Sequence, residues 1–186
     1  MPLPKISTAE YELKLPSNGK TIKYRPFLVR EEKVLILALE SENQKQITTA
    51  VKQVIKECVL TKGIKVDQLP SFDIEYLFLN IRGKSVGESI ELMVTCGDDG
   101  KTEVPVTVLI DDIEVSSNDE HSSDIELSDG YSVKMKYPSL SQFIETNFSQ
   151  DDEDAVEKSF EMIATSIDMV YNDKDMFSAS ECTKKE

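Results

Sequence analysis

The chain has 186 residues and a formal charge of −14, with 39% apolar and 30% charged side chains. A chain of that length buries roughly 70% of the surface it exposes when unfolded, so its core needs no disulfide or metal staple, and a soluble globular protein of one domain, or one domain in two lobes, is expected. The charge is split unevenly, +3 over residues 1–90 and −17 over residues 91–186, which argues against nucleic acid and anionic membranes as partners, because phosphate binding draws on lysine and arginine to release counterions.

From the N-terminus, Tyr11-Glu-Leu-Lys-Leu15 alternates apolar and polar residues as a half-buried strand does. Pro16-Ser-Asn-Gly19 carries the Asn-Gly hairpin signal, and Thr21 to Phe27 alternates again up to a terminating Pro26. Arg30 to Glu40 reads as a helix with acids in its first turn. Ser41-Glu-Asn-Gln44 has capping-box spacing and predicts a second helix. Ile47, Val51, Val54, Ile55 and Cys58 follow helical spacing there, Lys45, Lys52 and Lys56 fall on the opposite, wet side, and Lys62-Gly63 marks the stop. Leu69 to Arg82 predicts a third helix, with Ser71 as N-cap and a stripe of Ile74, Leu77, Phe78 and Ile81 widened by Phe72, Tyr76 and Leu79.

After Gly83 and Gly87 the period changes to two. Ile90, Leu92 and Val94 alternate, Gly97-Asp-Asp-Gly100 turns, and Val104, Val106 and Val108 alternate back, a second hairpin. Ser116 to Asp124 is polar and loop-like, and Ile125 to Tyr137 folds around Ser128-Asp-Gly130 as a third hairpin. Ser139 and Gln142 have capping-box spacing at the start of a fourth helix. A fifth helix follows the acidic run to Asp154, with Val156, Phe160, Ile163, Ile167 and Val170 on its inner face. The pattern predicts an α+β fold of about three antiparallel hairpins and about five helices, because no βαβ alternation occurs. Residues 1–177 form its single domain, with lobes at 1–90 and 91–177, and 178–186 a polar tail.

Candidate chemistry is sparse. His121, the sole histidine, sits in a polar loop with no nucleophile frame around it. Cys96, Asp98 and Asp99 are close in sequence, but Asp-Asp-Gly is also ordinary turn chemistry, and Asp151 to Asp154 lacks the glycine and distal glutamate of a calcium loop. No phosphate-binding glycine motif is present. Cys58, Cys96 and Cys182 show no paired spacing and read as ordinary thiols of a reducing compartment. The residues thus predict no catalytic site, no cofactor and no metal. The longest apolar run, Val34 to Leu39, is far short of the roughly 20 residues of a membrane helix, and the N-terminus has no signal stretch. A protein that stays in the cytoplasm where it is made is expected.

Two kinds of contact surface remain. Val34 to Leu39, and Phe72, Tyr76, Leu77, Phe78 and Ile81 of the third helix, are either core or a docking face. Asp151, Asp152 and Asp154 are either a solvating surface or one that steers a basic protein partner.

Several strings resemble a known family. Leu3-Pro-Lys-Ile6, Tyr11-Glu-Leu-Lys-Leu-Pro-Ser17, Ile22-Lys-Tyr-Arg-Pro-Phe-Leu-Val29 with Glu31-Glu-Lys33, Phe72-Asp-Ile-Glu-Tyr-Leu-Phe-Leu79 and Arg82-Gly-Lys-Ser-Val-Gly87 are similar to the baseplate hub subunit, or hub assembly, family of T4-like phages. Glu157 to Tyr171 resembles that family's late helix. The resemblance covers most of the chain. It implies a non-enzymatic protein of the contractile-tail baseplate hub, either a hub component or an assembly factor, with a transient chaperone for hub or tape-measure proteins as the alternative. It implies other hub or tail proteins as partners, and a location in the host bacterial cytoplasm during assembly and in the virion baseplate. Family members continue into further helix past the position of Glu186, so this chain is expected to be a short or truncated member.

Overall fold

The computed structural model describes residues 8–116, 118, 120–148 and 155–181. These fall into two compact units, one of residues up to 66 together with 72–115, the other of 67–71 together with residues from 116 onward.

In the first unit, β1 (Tyr11–Lys14) pairs antiparallel with β2 (Thr21–Tyr24), Leu13 opposite Ile22. Gly19 takes φ +67°, the left-handed conformation that closes the turn, and its amide donates to the Leu15 carbonyl at 2.8 Å. Leu15, Ile22 and Tyr24 are buried beneath the hairpin. α1 (Val29–Glu40) and α2 (Gln44–Cys58) follow. The residues after α2 return alongside β2: the Arg25 amide donates to the Cys58 carbonyl and the Leu60 amide to the Lys23 carbonyl.

Three local expectations are corrected here. Asn43, not Ser41, caps α2, its side chain accepting from the Lys45 and Gln46 amides at 3.0 and 3.2 Å. Ser41 instead closes α1 by donating to the Ala38 carbonyl. Lys52 is buried rather than wet, since it lies on the same side of α2 as buried Thr48 and Ile55. Finally, α2 stops at Cys58, before Lys62-Gly63, because the backbone from Cys58 to Leu60 bonds to β2 instead.

α3 (Ser71–Val86) runs past Arg82 to Gly87, which ends it at φ +141°. Gly83 lies inside the helix, where a side chain would meet Ile110: an added Cβ would stand 3.1 Å from Ile110 Cδ1. β3 (Ser89–Thr95) and β4 (Glu103–Leu109) form a separate two-stranded hairpin with Leu92 opposite Val106 and Val94 opposite Val104.

In the second unit, β5 (Asp124–Glu126), β6 (Ser132–Met135), β7 (Ile167–Tyr171) and β8 (Met176–Ser178) make an antiparallel sheet in that order. α4 (Leu140–Phe148) and α5 (Ala155–Ser166) lie in sequence between β6 and β7. Ser139 and Gln142 form the expected reciprocal cap of α4: the Ser139 amide donates to Gln142 Oε1 at 2.9 Å and the Gln142 amide to Ser139 Oγ at 3.4 Å. Pro70 bridges to Ser139, tying residues 67–71 to this unit.

The fifth helix is shorter than its apolar spacing suggests. It ends at Ser166, and Ile167–Tyr171 is a strand with Val170 opposite Val133. Val156, Phe160 and Ile163 are more than half exposed and do not form an inner face. Five α-helices and exclusively antiparallel sheets bear out the α+β expectation among the described residues, with all three predicted hairpins in place.

Candidate protein-interaction surfaces

The orientation of α1 is set by a buried ion pair. Glu31 has 3% of its side chain exposed. It accepts from Arg25 Nη2 at 3.0 Å, from Arg30 Nη2 at 2.8 Å and from the Leu28 amide at 2.7 Å, the last satisfying a free donor at the helix start. Burial pushes this carboxyl up, but the hydrogen bonds from Arg25, Arg30 and the Leu28 amide outweigh it and hold the group at about 2. Arg30 also reaches Glu57 on α2 at 2.6 Å. With Glu31 and Ala38 thus turned inward, helical periodicity turns Val29, Ile36, Leu37 and Leu39 outward. Val29 is 79% exposed and Leu39 61%. The apolar run that could have been core is therefore divided, with Val34 and Leu35 half-buried and the rest in solvent.

α3 is the opposite case. Between Ser71 and Ser85 only Glu75 is exposed. Of the five residues singled out on this helix, Leu77 and Ile81 are fully buried beside Ile74, while Phe72, Tyr76 and Phe78 are half-buried. Asp73, which the apolar periodicity passes over, is also fully buried. It accepts from the Ser17 amide at 3.0 Å and the Ser17 hydroxyl at 2.5 Å, fastening the β1–β2 turn to the start of α3. A carboxylate in the first turn of a largely apolar helix was the available signal for it.

The β3–β4 hairpin is exposed almost throughout. From Glu91 to Thr107 every residue except half-buried Cys96 is exposed. Ile90, Leu92, Val94, Val104, Val106 and Val108 share one face by alternation and register. Pro105, a further residue not singled out from the sequence, stands opposite Met93. At the tip Asp99 accepts from the Lys101 and Thr102 amides and from the Thr102 hydroxyl, and these bonds hold its carboxyl down at about 2. Three of its acceptor positions are used to close the turn.

The remaining candidates do not converge. His121 stacks on Tyr137 with ring centroids 5.7 Å apart. Burial pushes the Cys58 thiol up to about 11, so it supplies no thiolate. Among the described residues no group of three His, Cys, Asp or Glu could hold a metal, and no helix is long and apolar enough to cross a membrane. Asp151, Asp152 and Asp154 lie outside the described residues.

Residues 8–186 match the family described as T4 bacteriophage base plate protein. The chain belongs to that family. It is a bacteriophage baseplate protein, and the coarser part of the resemblance read from its strings is thereby established. No curated protein and no solved structure gives a significant match. As a base plate protein it works among other phage baseplate and tail proteins.

Proposed function

We propose that this base plate protein belongs to the baseplate hub of a T4-like contractile tail, as a component or in its assembly, and that it acts without catalysis through protein–protein contacts. The hub reading is supported by the strings Tyr11 to Ser17, Ile22 to Val29 and Phe72 to Leu79, which resemble the hub subunit family. The observation that carries the contact reading is the outward face of α1. Val29, Ile36, Leu37 and Leu39 are held in solvent by a buried ion pair on the reverse side of the same helix. Four large apolar side chains exposed on one turned-out helix side, interspersed with Glu32, Lys33 and Glu40, suit an interaction site with a polar component.

Fractionation of baseplate intermediates from infected cells tests the assignment. The chain should co-sediment with hub intermediates, and Leu39→Glu together with Ile36→Glu should release it without altering its melting temperature. Recovery only with peripheral baseplate fractions would overturn the hub reading. Mass spectrometry of purified virions then separates a component, which persists in the particle, from an assembly factor, which does not.

A further inference from the structure

We propose that the β3 edge of the β3–β4 hairpin accepts an extended strand from another baseplate protein, apolar on one face and bearing lysine or arginine on the other. This rests on the proposed role in protein contacts and names one of its sites.

The two edges of the hairpin are unequal. In an antiparallel ladder, pairs that exchange hydrogen bonds alternate with pairs whose N–H and C=O groups point away from the partner strand. The Cys96 amide donates to the Thr102 carbonyl and the Ile110 amide to the Glu88 carbonyl. With the register Leu92↔Val106, the even-numbered residues of β3 therefore bond inward. Glu91, Met93 and Thr95 direct their backbone groups outward on one edge, and Glu103, Pro105 and Thr107 do so on the other. Pro105 has no N–H to offer, so the β4 edge is interrupted at its centre. The β3 edge has no such block. Among the described residues no third strand pairs with either edge.

The side chains state what the occupant must look like. A two-stranded hairpin alone is marginal in water, yet this one exposes Leu92, Val94, Val104 and Val106 on a single face. An added strand extends that face and needs apolar residues there. Glu91 projects from the other face, next to the open edge. From Glu88 to Val115 the sequence holds eight carboxylates and one lysine, Lys101. A second copy of this chain would bring a segment of the same net negative charge against this one. Opposite charges on neighbouring strands attract and like charges repel, so the partner strand is basic.

The test uses the full chain and short synthetic peptides, with backbone amide exchange read residue by residue. A peptide alternating lysine and valine should slow exchange at Glu91, Met93 and Thr95 by tenfold or more and leave Glu103 and Thr107 unchanged. A glutamate–valine peptide should do neither. Met93→Pro places a proline opposite Pro105 at an outward-facing amide. It should keep the melting temperature and abolish the protection. Protection at Glu103 and Thr107, equal protection by both peptides, or protection that grows with protein concentration in the absence of peptide would each overturn the proposal, the last by showing self-pairing. Retained protection in a folded Met93→Pro protein would overturn it too. If peptides fail but the chain still co-sediments with hub intermediates, the edge is withdrawn and the proposed function stands.

Discussion

Glu31 shows how one carboxylate sets what a helix exposes. Its folded pKa of about 2 lies below the ordinary 4.5, so its contribution is complete above pH 4.5 and is lost as the pH falls towards 2. The shift corresponds to about 3 kcal/mol of stability. Wild type should therefore lose stability relative to Glu31→Gln across that window in denaturant titrations, and parallel curves for the two proteins would show the pair to be inert. Gly83 is a second such residue. Alanine inside a helix ordinarily stabilises by about 1 kcal/mol relative to glycine, but here the new methyl would press on buried Ile110. Gly83→Ala should lower the melting temperature in wild type and raise it in an Ile110→Val background, where the contacting Cδ1 is gone. The same sign in both backgrounds would exclude a steric cause. His121 is exposed and stacks on an exposed tyrosine, so His121→Ala should leave the melting temperature and phage assembly unchanged, and an assembly defect in a folded variant would count against a non-catalytic role.

At the scale of elements, α3 is the centre of the first unit's core. Leu77→Ala should cost 2–5 kcal/mol, roughly the loss expected on emptying a fully buried site. Phe78→Ala should cost less than the full 3–5 kcal/mol of a buried phenylalanine, roughly half, because Phe78 is only half-buried. Equal losses in thermal denaturation would mean that Phe78 is covered. The three hairpins were legible because their turns carry local chemistry: Asn18-Gly19, Gly97 to Gly100 and Ser128 to Gly130 need backbone conformations that few residues tolerate. The end of α5 was not legible. Ile167 and Val170 continue the helical spacing of Ile163, yet the same segment pairs with β6, from which it is more than thirty positions away in sequence. Long-range pairing overrides local periodicity in this way. The cap of α2 failed for a smaller reason, since Ser41 and Asn43 are both good caps two residues apart and only the preceding helix decides between them. Of the candidate site, the apolar content of α1 was visible in the sequence but its division into inner and outer faces was not, because that depends on where Arg25 lies in space.

For the whole molecule, the uneven charge predicts how it meets its partners. The half after residue 90 carries −17, and charges at the rim of an interface act mainly on association rate. Association with its baseplate partners should slow as salt rises from low to physiological strength, where screening sets in beyond about 8 Å. Replacing Asp151, Asp152 and Asp154 with asparagine should weaken that dependence without unfolding the protein, and a rate independent of salt would reduce the acidic half to a solubilising surface. Pro105 bears on a different quantity, the size of what is built. A hairpin open on both edges can take a basic strand on each side. One edge carrying a proline admits a single addition and then stops. The residue therefore acts as a stoichiometric limit of one added strand per hairpin. Pro105→Thr should remove the limit, and the lysine–valine peptide should then slow amide exchange at Glu103 and Thr107 as well as on the β3 edge, at two peptides per chain; unchanged exchange on the β4 edge would show that the proline sets no limit.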